Sequence, residues 1–188
     1  MIFIIRVAGN SLGTEVLGSL RFAVEHLSDN LKLIVVLGHS GCGALTSAVD
    51  VFLNPTDYLS LAGKHSLRYV LDALLIVVQA CAKKINAVFG PDILHHPAYR
   101  RALIEASIVT HAALAAYSIQ QELQNSPTEL QIAYGVYLLE TRQVWTPYAN
   151  ETNGSGLMAA PHNAAEFVEL GDTILRSERI ASLIKTKG

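Results

Sequence analysis

At 188 residues the chain is most simply one domain, long enough to bury a sizeable core. Its 51% hydrophobic and 16% charged residues are apolar for a soluble monomer and point either to a large core or to surface buried between subunits. A formal charge of −2, without a basic stripe, argues against a nucleic-acid partner.

Two cysteines, Cys42 and Cys81, cannot build a disulfide framework, so a reduced, cytoplasmic protein is expected. The apolar start ends at Arg6 and Gly9, too early for a secretory signal. The longest apolar run, residues 73–78, is too short to span a bilayer, and no membrane association is expected.

Taken in order, residues 3–7 (FIIRV) read as a strand and Ala8-Gly9-Asn10 as a turn. Residues 18–27 (GSLRFAVEHL) place Leu20, Ala23, Val24 and Leu27 at helical spacing, closed by Ser28-Asp29-Asn30. Residues 33–37 (LIVVL) read as a buried parallel strand that breaks at Gly38. Strand, helix and strand form a βαβ unit with a right-handed crossover.

A helix over residues 44–52 stops before Asn54-Pro55. Two long helices, residues 66–89 and 99–123, follow; the second is rich in alanine and suited to close helix packing. Residues 130–139 (LQIAYGVYLL) form a further strand, with 142–145 expected to pair back onto it after a turn at Glu140-Thr141. Residues 150–156 read as a polar loop. A terminal helix spans 164–184, with Gly171 as a point of interruption.

The chemistry converges on residues 38–43 (GHSGCG). Open α/β sheets bind ligands at the carboxyl ends of their strands, and this loop lies between a strand and a helix N-terminus. His39 and Cys42, with two residues between them, are within reach of one metal ion, and N/S ligation suits Zn2+. Gly41 and Gly43 allow a small anion to approach the backbone N–H groups. The residues alone leave three rival readings open. These are a Cys42 nucleophile activated by His39, a phosphate cradle lacking the Gly-Lys-Ser/Thr ending of a P-loop, and a buried cysteine beside a satisfied histidine. Cys81, within an apolar helix, and His111, on an alanine-rich face, read as core; His95-His96 read as a solvated loop.

Three motifs occur in a telling order: RVAGN (residues 6–10), GSLRFAVEHL (18–27) and VVLGHSGCGAL (35–45). Together they resemble the β-class carbonic anhydrases, whose most specific mark is GHSxCGA. Gly135-Val136-Tyr137 with Thr141 resembles that family's GxVYDxxTG strand, although Leu138 replaces its Asp and Arg142 its second Gly. Val7 likewise replaces an Asn. The resemblance covers residues 3–48 and 102–144, and the helical stretch at about 55–125 looks like an enlargement of one domain spanning 1–188.

The resemblance implies a three-layer α/β fold, a mostly parallel sheet flanked by helices. It implies reversible hydration of carbon dioxide to bicarbonate by a zinc-bound hydroxide, in a homodimer or higher homo-oligomer. His39 and Cys42 would be two of three zinc ligands, and Gly43 N–H would meet substrate or bicarbonate. The family's other cysteine ligand and its Asp–Arg pair sit in a CxDSR motif on the sheet's central strand, which precedes the RNAGN-like segment. No such motif occurs here, and Cys42 is the first cysteine. An N-terminally shortened chain is the simplest expectation. A zinc-free homologue serving as an anion-binding or interaction module, and a hydrolase of carbon disulfide or carbonyl sulfide, are the alternatives.

Overall fold

The computed structural model describes residues 2–27, 30–61, 63–125, 130–148 and 156–185. The fold is α/β, with helices flanking a small mixed sheet. The first helix, α1 (Thr14–His26), buries Ala23 and Val24 as its apolar spacing requires. The apolar run after Lys32 becomes β1 (Leu33–His39), which ends at the glycine-rich loop. Then come α2 (Gly43–Leu53), α3 (His65–Phe89) and α4 (Tyr99–Leu123), which carry the chain back to β2 (Gln131–Leu138). β1 and β2 are parallel, Leu33 facing Gln131 and His39 facing Tyr137. Two short strands pair antiparallel with β2: β3 (Gln143–Trp145) near its carboxyl end, through Val136–Trp145, and β4 (Met158–Ala159) through Ala133–Ala159. Most paired residues thus belong to the parallel ladder, and the expected return of residues 142–145 is present.

The alanine-rich α4 lies in the centre of the core. Ala102, Ala106, Ala112, Ala113, Ala115 and Ala116 are all buried, and it packs on β1, β2, α2 and α3. Small side chains let its backbone come close to the sheet. A Cβ added at Gly38 would stand 3.3 Å from Ile108 Cγ2 and 3.5 Å from Ala112 Cβ. α4 is long and apolar enough to cross a membrane, but 72% of its most apolar window is buried inside the fold. That is how a core helix of a globular domain looks.

The amino-terminal strand is not formed. Residues 2–7 pair with no strand, and Ile2, Phe3, Ile4 and Val7 are exposed. The βαβ unit expected from residues 3–37 is therefore absent, and the parallel pair is built from β1 and β2 instead. Apolar, β-branched composition favours a strand only where a neighbour supplies the ladder. Among the described residues, β1 has a neighbour on one side only.

Gln131 N–H bonds to Lys32 O and Ser40 N–H to Tyr137 O, so the even-numbered positions of β1 face β2. Leu33, Val35, Leu37 and His39 direct their backbone groups to the open edge. One of these groups is met from the turn: Asn10 Nδ2 donates to Leu37 O at 3.1 Å. The side chains of Leu33, Val35 and Leu37 are exposed as well. The turn is a short 3-10 helix, Ala8–Asn10, with Gly9 at φ 61°. His111 Nε2–H donates to Gly9 O at 2.5 Å, fastening the turn to α4. Burial, partly offset by that bond, holds the His111 imidazole below its ordinary pKa, and its Nδ1 has no partner among the described residues. His111 is a packed histidine as expected, but satisfied on one nitrogen only.

The terminal helix breaks at a different place from Gly171. α5 (Ala164–Arg176) runs through that glycine, and α6 (Glu178–Lys185) begins after Ser177, whose backbone is extended (φ −58°, ψ 144°). Ser177 O accepts from Ile180 N and Ala181 N, so the serine starts the new helix, a role its type favours. Asn163 caps α5 by accepting from Glu166 N at 3.1 Å. The helix-closing Ser28 and Asp29, the Ser126-Pro127 stop and most of the 150–156 loop lie outside the described residues.

Gly135 in β2 tests the packing of the short strands. A Cβ there would stand 2.6 Å from Val144 Cγ1 and 2.9 Å from Gly156 O. Gly135→Ala is expected to destabilise the fold by about 1–3 kcal/mol through overpacking. A lowered urea midpoint with unchanged slope is the measurement that checks it.

Candidate metal and anion site

The loop that follows β1 is built by two backbone requirements. Gly41 sits at φ 66°, a left-handed conformation that costs other residues free energy, and it reverses the chain. Cys42 then occupies the N-cap position of α2, extended at φ −58° and ψ 113°, and its side chain makes no capping bond. Thr46 N–H bonds to Cys42 O, so the helix begins at Gly43. The first-turn N–H groups of a helix have no intrahelical acceptor and carry the positive end of its dipole. Gly43 is exposed, and a Cβ there would meet nothing within 4 Å, so the approach to these groups is open.

His39 is the last residue of β1 and is exposed, whereas Cys42 is a buried free thiol. His39 Nδ1 lies 3.0 Å from Ser40 O. A carbonyl only accepts, so Nδ1 carries the proton and Nε2 is left with a free lone pair. That is the tautomer in which a histidine serves as a metal ligand, its other nitrogen held by an acceptor.

Ser40 is itself fixed from three directions. Its N–H donates to Tyr137 O at 2.9 Å, and its Oγ accepts from Leu139 N–H at 2.9 Å. The same hydroxyl donates to Glu140 Oε2 at 2.8 Å. The opposite oxygen of Glu140 receives Arg179 Nη1 at 2.8 Å, and Arg179 Nε reaches Glu105 Oε2, also at 2.8 Å. Arg179 also lies over the Trp145 ring, 5.8 Å from its centroid. Glu140's own backbone N–H, then the Ser40 hydroxyl and the Arg179 guanidinium, hold its carboxyl down at about 2.

Ser40 lies inside the recognised motif, but nothing in the spacing of Glu140 or Arg179 marks them as its partners.

The donor set can be weighed against zinc directly. His39 Nε2 and Cys42 Sγ are of the right chemical kind, but a zinc site takes three protein ligands and an open position, or four. Among the described residues, no group of three or more His, Cys, Asp or Glu side chains could hold a metal ion. The other candidates are engaged elsewhere. Cys81 is buried against Thr110 Oγ1 at 3.4 Å, and burial pushes its thiol up. His96 Nδ1 accepts from Ala98 N–H, and His111 faces Gly9. The residues described thus supply two ligands and fall short of a closed centre.

Residues 1–144 match the family model for carbonic anhydrase. Carbonic anhydrase 2 of Mycobacterium tuberculosis, from either of two strains, is 49% identical over 47 residues, which is 25% of this chain and 22% of that protein. The carbonic anhydrase of Mycolicibacterium smegmatis is 44% identical over 48 residues, 26% of this chain and 22% of the relative. The matched stretch therefore spans about a fifth of the length of these curated relatives. No solved structure matches the chain.

The Glu140 carboxylate gives the site a pH signature. Its pKa is depressed in the fold, so its contribution to stability is complete above the unfolded value of about 4.3. That contribution is lost as the pH falls from there toward about 2. Stability measured across this range should fall more steeply for the native chain than for Glu140→Gln.

Proposed function

Because this chain belongs to the β-class carbonic anhydrase family, we propose that it takes part in the reversible hydration of carbon dioxide to bicarbonate, with zinc as the metal. The observation that carries this reading is the 3.0 Å contact between His39 Nδ1 and Ser40 O. With Nδ1–H given to Ser40 O, its free Nε2 stands three residues before the Cys42 thiol, at the open N-terminus of α2. Zinc, when bound, lowers the pKa of water to about 7 and so makes hydration possible at neutral pH.

In this reading His39 and Cys42 are two of the metal's ligands. The Gly43 N–H, unhindered by a side chain, orients the substrate or the bicarbonate product. The remaining protein ligand and the acid–base partner come from outside the described residues of one chain. Assembly as a homo-oligomer is part of the same proposal, supported by the exposed apolar residues of β1. Two free cysteines support a cytoplasmic setting.

The test is direct. Zinc binding by this chain should be weak, and stopped-flow hydration of carbon dioxide slow, since two donors do not close a zinc shell. What zinc it does bind should depend on His39 and Cys42. His39→Ala and Cys42→Ser should each lower the affinity by about 10-fold or more; unchanged affinity in both would remove the reading. For assembly, Val35→Lys should shift the native chain toward monomer in sedimentation, because a lysine blocks pairing at an exposed edge.

A further inference from the structure

The family match ends at residue 144, yet α6 reaches back to Glu140, whose carboxylate holds Ser40 in the loop between β1 and α2. We propose that Arg179 is a positioning residue for His39, acting through Glu140 and Ser40; the proposal rests on the reading of the loop as the metal and substrate site.

The chain of contacts is continuous. Arg179 uses two separate nitrogens, Nε on Glu105 of α4 and Nη1 on Glu140 in the turn after β2. It is only 21% exposed, and Glu105 only 12%, so this fork is held away from competing water. Glu140, more exposed at 50%, is fixed by having both oxygens occupied, Oε1 by Arg179 and Oε2 by the Ser40 hydroxyl. Ser40 is 5% exposed and cannot reorient without abandoning Leu139 N–H, which it also accepts. The Ser40 carbonyl then receives the His39 Nδ1 proton and so sets which ring nitrogen is free.

Each link is a single hydrogen bond or ion pair, and each removes one freedom of the next. Without Arg179, Glu140 keeps only its own backbone N–H and the Ser40 hydroxyl, and its half-exposed carboxylate is drawn toward solvent. Its acceptor then drifts from the Ser40 hydroxyl, and the Ser40 peptide loses one of the bonds that aim its carbonyl at His39. The consequence is a ring that samples both tautomers instead of one. A purely structural role for Arg179, tying α6 to α4 through Glu105, would lower stability and leave the ring as it is.

Long-range 1H–15N correlation of the imidazole separates these outcomes, because protonated and bare ring nitrogens have distinct 15N shifts. The whole chain is measured at one pH, high enough that His39 is neutral. The native chain is expected to show His39 as the Nδ1–H form. Arg179→Ala should convert it to a mixture with a substantial Nε2–H share, and Arg179→Lys, which can reach one carboxylate but not span both, should fall between. Glu140→Gln, which keeps the side-chain size, should shift the ring in the same direction and serves if Arg179→Ala does not fold. Glu105→Gln should lower the melting temperature with the ring still Nδ1–H.

A native His39 that is not Nδ1–H, or a ring unchanged in both Arg179→Ala and Glu140→Gln, overturns the proposal. Titration of the native chain with Co2+, followed by thiolate-to-cobalt absorption, tests the metal reading separately. Absence of a cobalt band even with Co2+ in large excess, together with a tautomer shift in the variants, would sink that reading and leave the positioning role standing.

Discussion

The parallel ladder between β1 and β2, bedded on α4, is the constraint from which the rest of the molecule follows. Parallel strands need a long crossover, and here three helices provide it. The last of them must return beneath the sheet it completes. A helix can lie that close only if its facing side chains are small, which accounts for the buried alanines of α4 and for Gly38 above Ile108. The two antiparallel strands add to one side of this ladder. The other side of β1 is an edge.

That edge sets the character of the chain. An interior strand unpaired and buried would lose on the order of 1–3 kcal/mol for each stranded polar group. The molecule avoids this cost by leaving the outward-facing groups of β1 in water, with Asn10 covering Leu37 O. It accepts exposed Leu33, Val35 and Leu37 as the consequence. Residues 2–7, apolar as they are, do not become a strand. A ladder position lies open beside β1, but these residues do not occupy it.

The site inherits its order from the carboxyl end of the ladder. Ser40 N–H continues the pairing onto Tyr137 O, so the loop begins from a fixed point. Gly41 then reverses the backbone and Cys42 starts α2. What distinguishes this loop from a generic strand-to-helix turn is the polar line from Ser40 through Glu140 to Arg179, which joins it to the last helix of the chain.

Much of this was legible in the residues. The helical spacing of 66–89 and 99–123 and the alanine content of α4 were local properties, and the structure follows them almost to the residue. The His39–Cys42 loop was legible for a related reason: its glycines, cysteine and histidine act within six positions. Three features were decided only by tertiary structure. Whether residues 3–7 form a strand depends on a neighbour's hydrogen bonds, not on their own side chains. The break at Ser177 rather than Gly171 depends on where α5 must turn so that α6 can pack on α4. The pairing of Ser40 with Glu140, one hundred positions later, and of Glu140 with Arg179 follows from folding alone. Propensity acts over a few residues and is written in order along the chain; a ladder edge or a charge network exists only once distant segments share the same space.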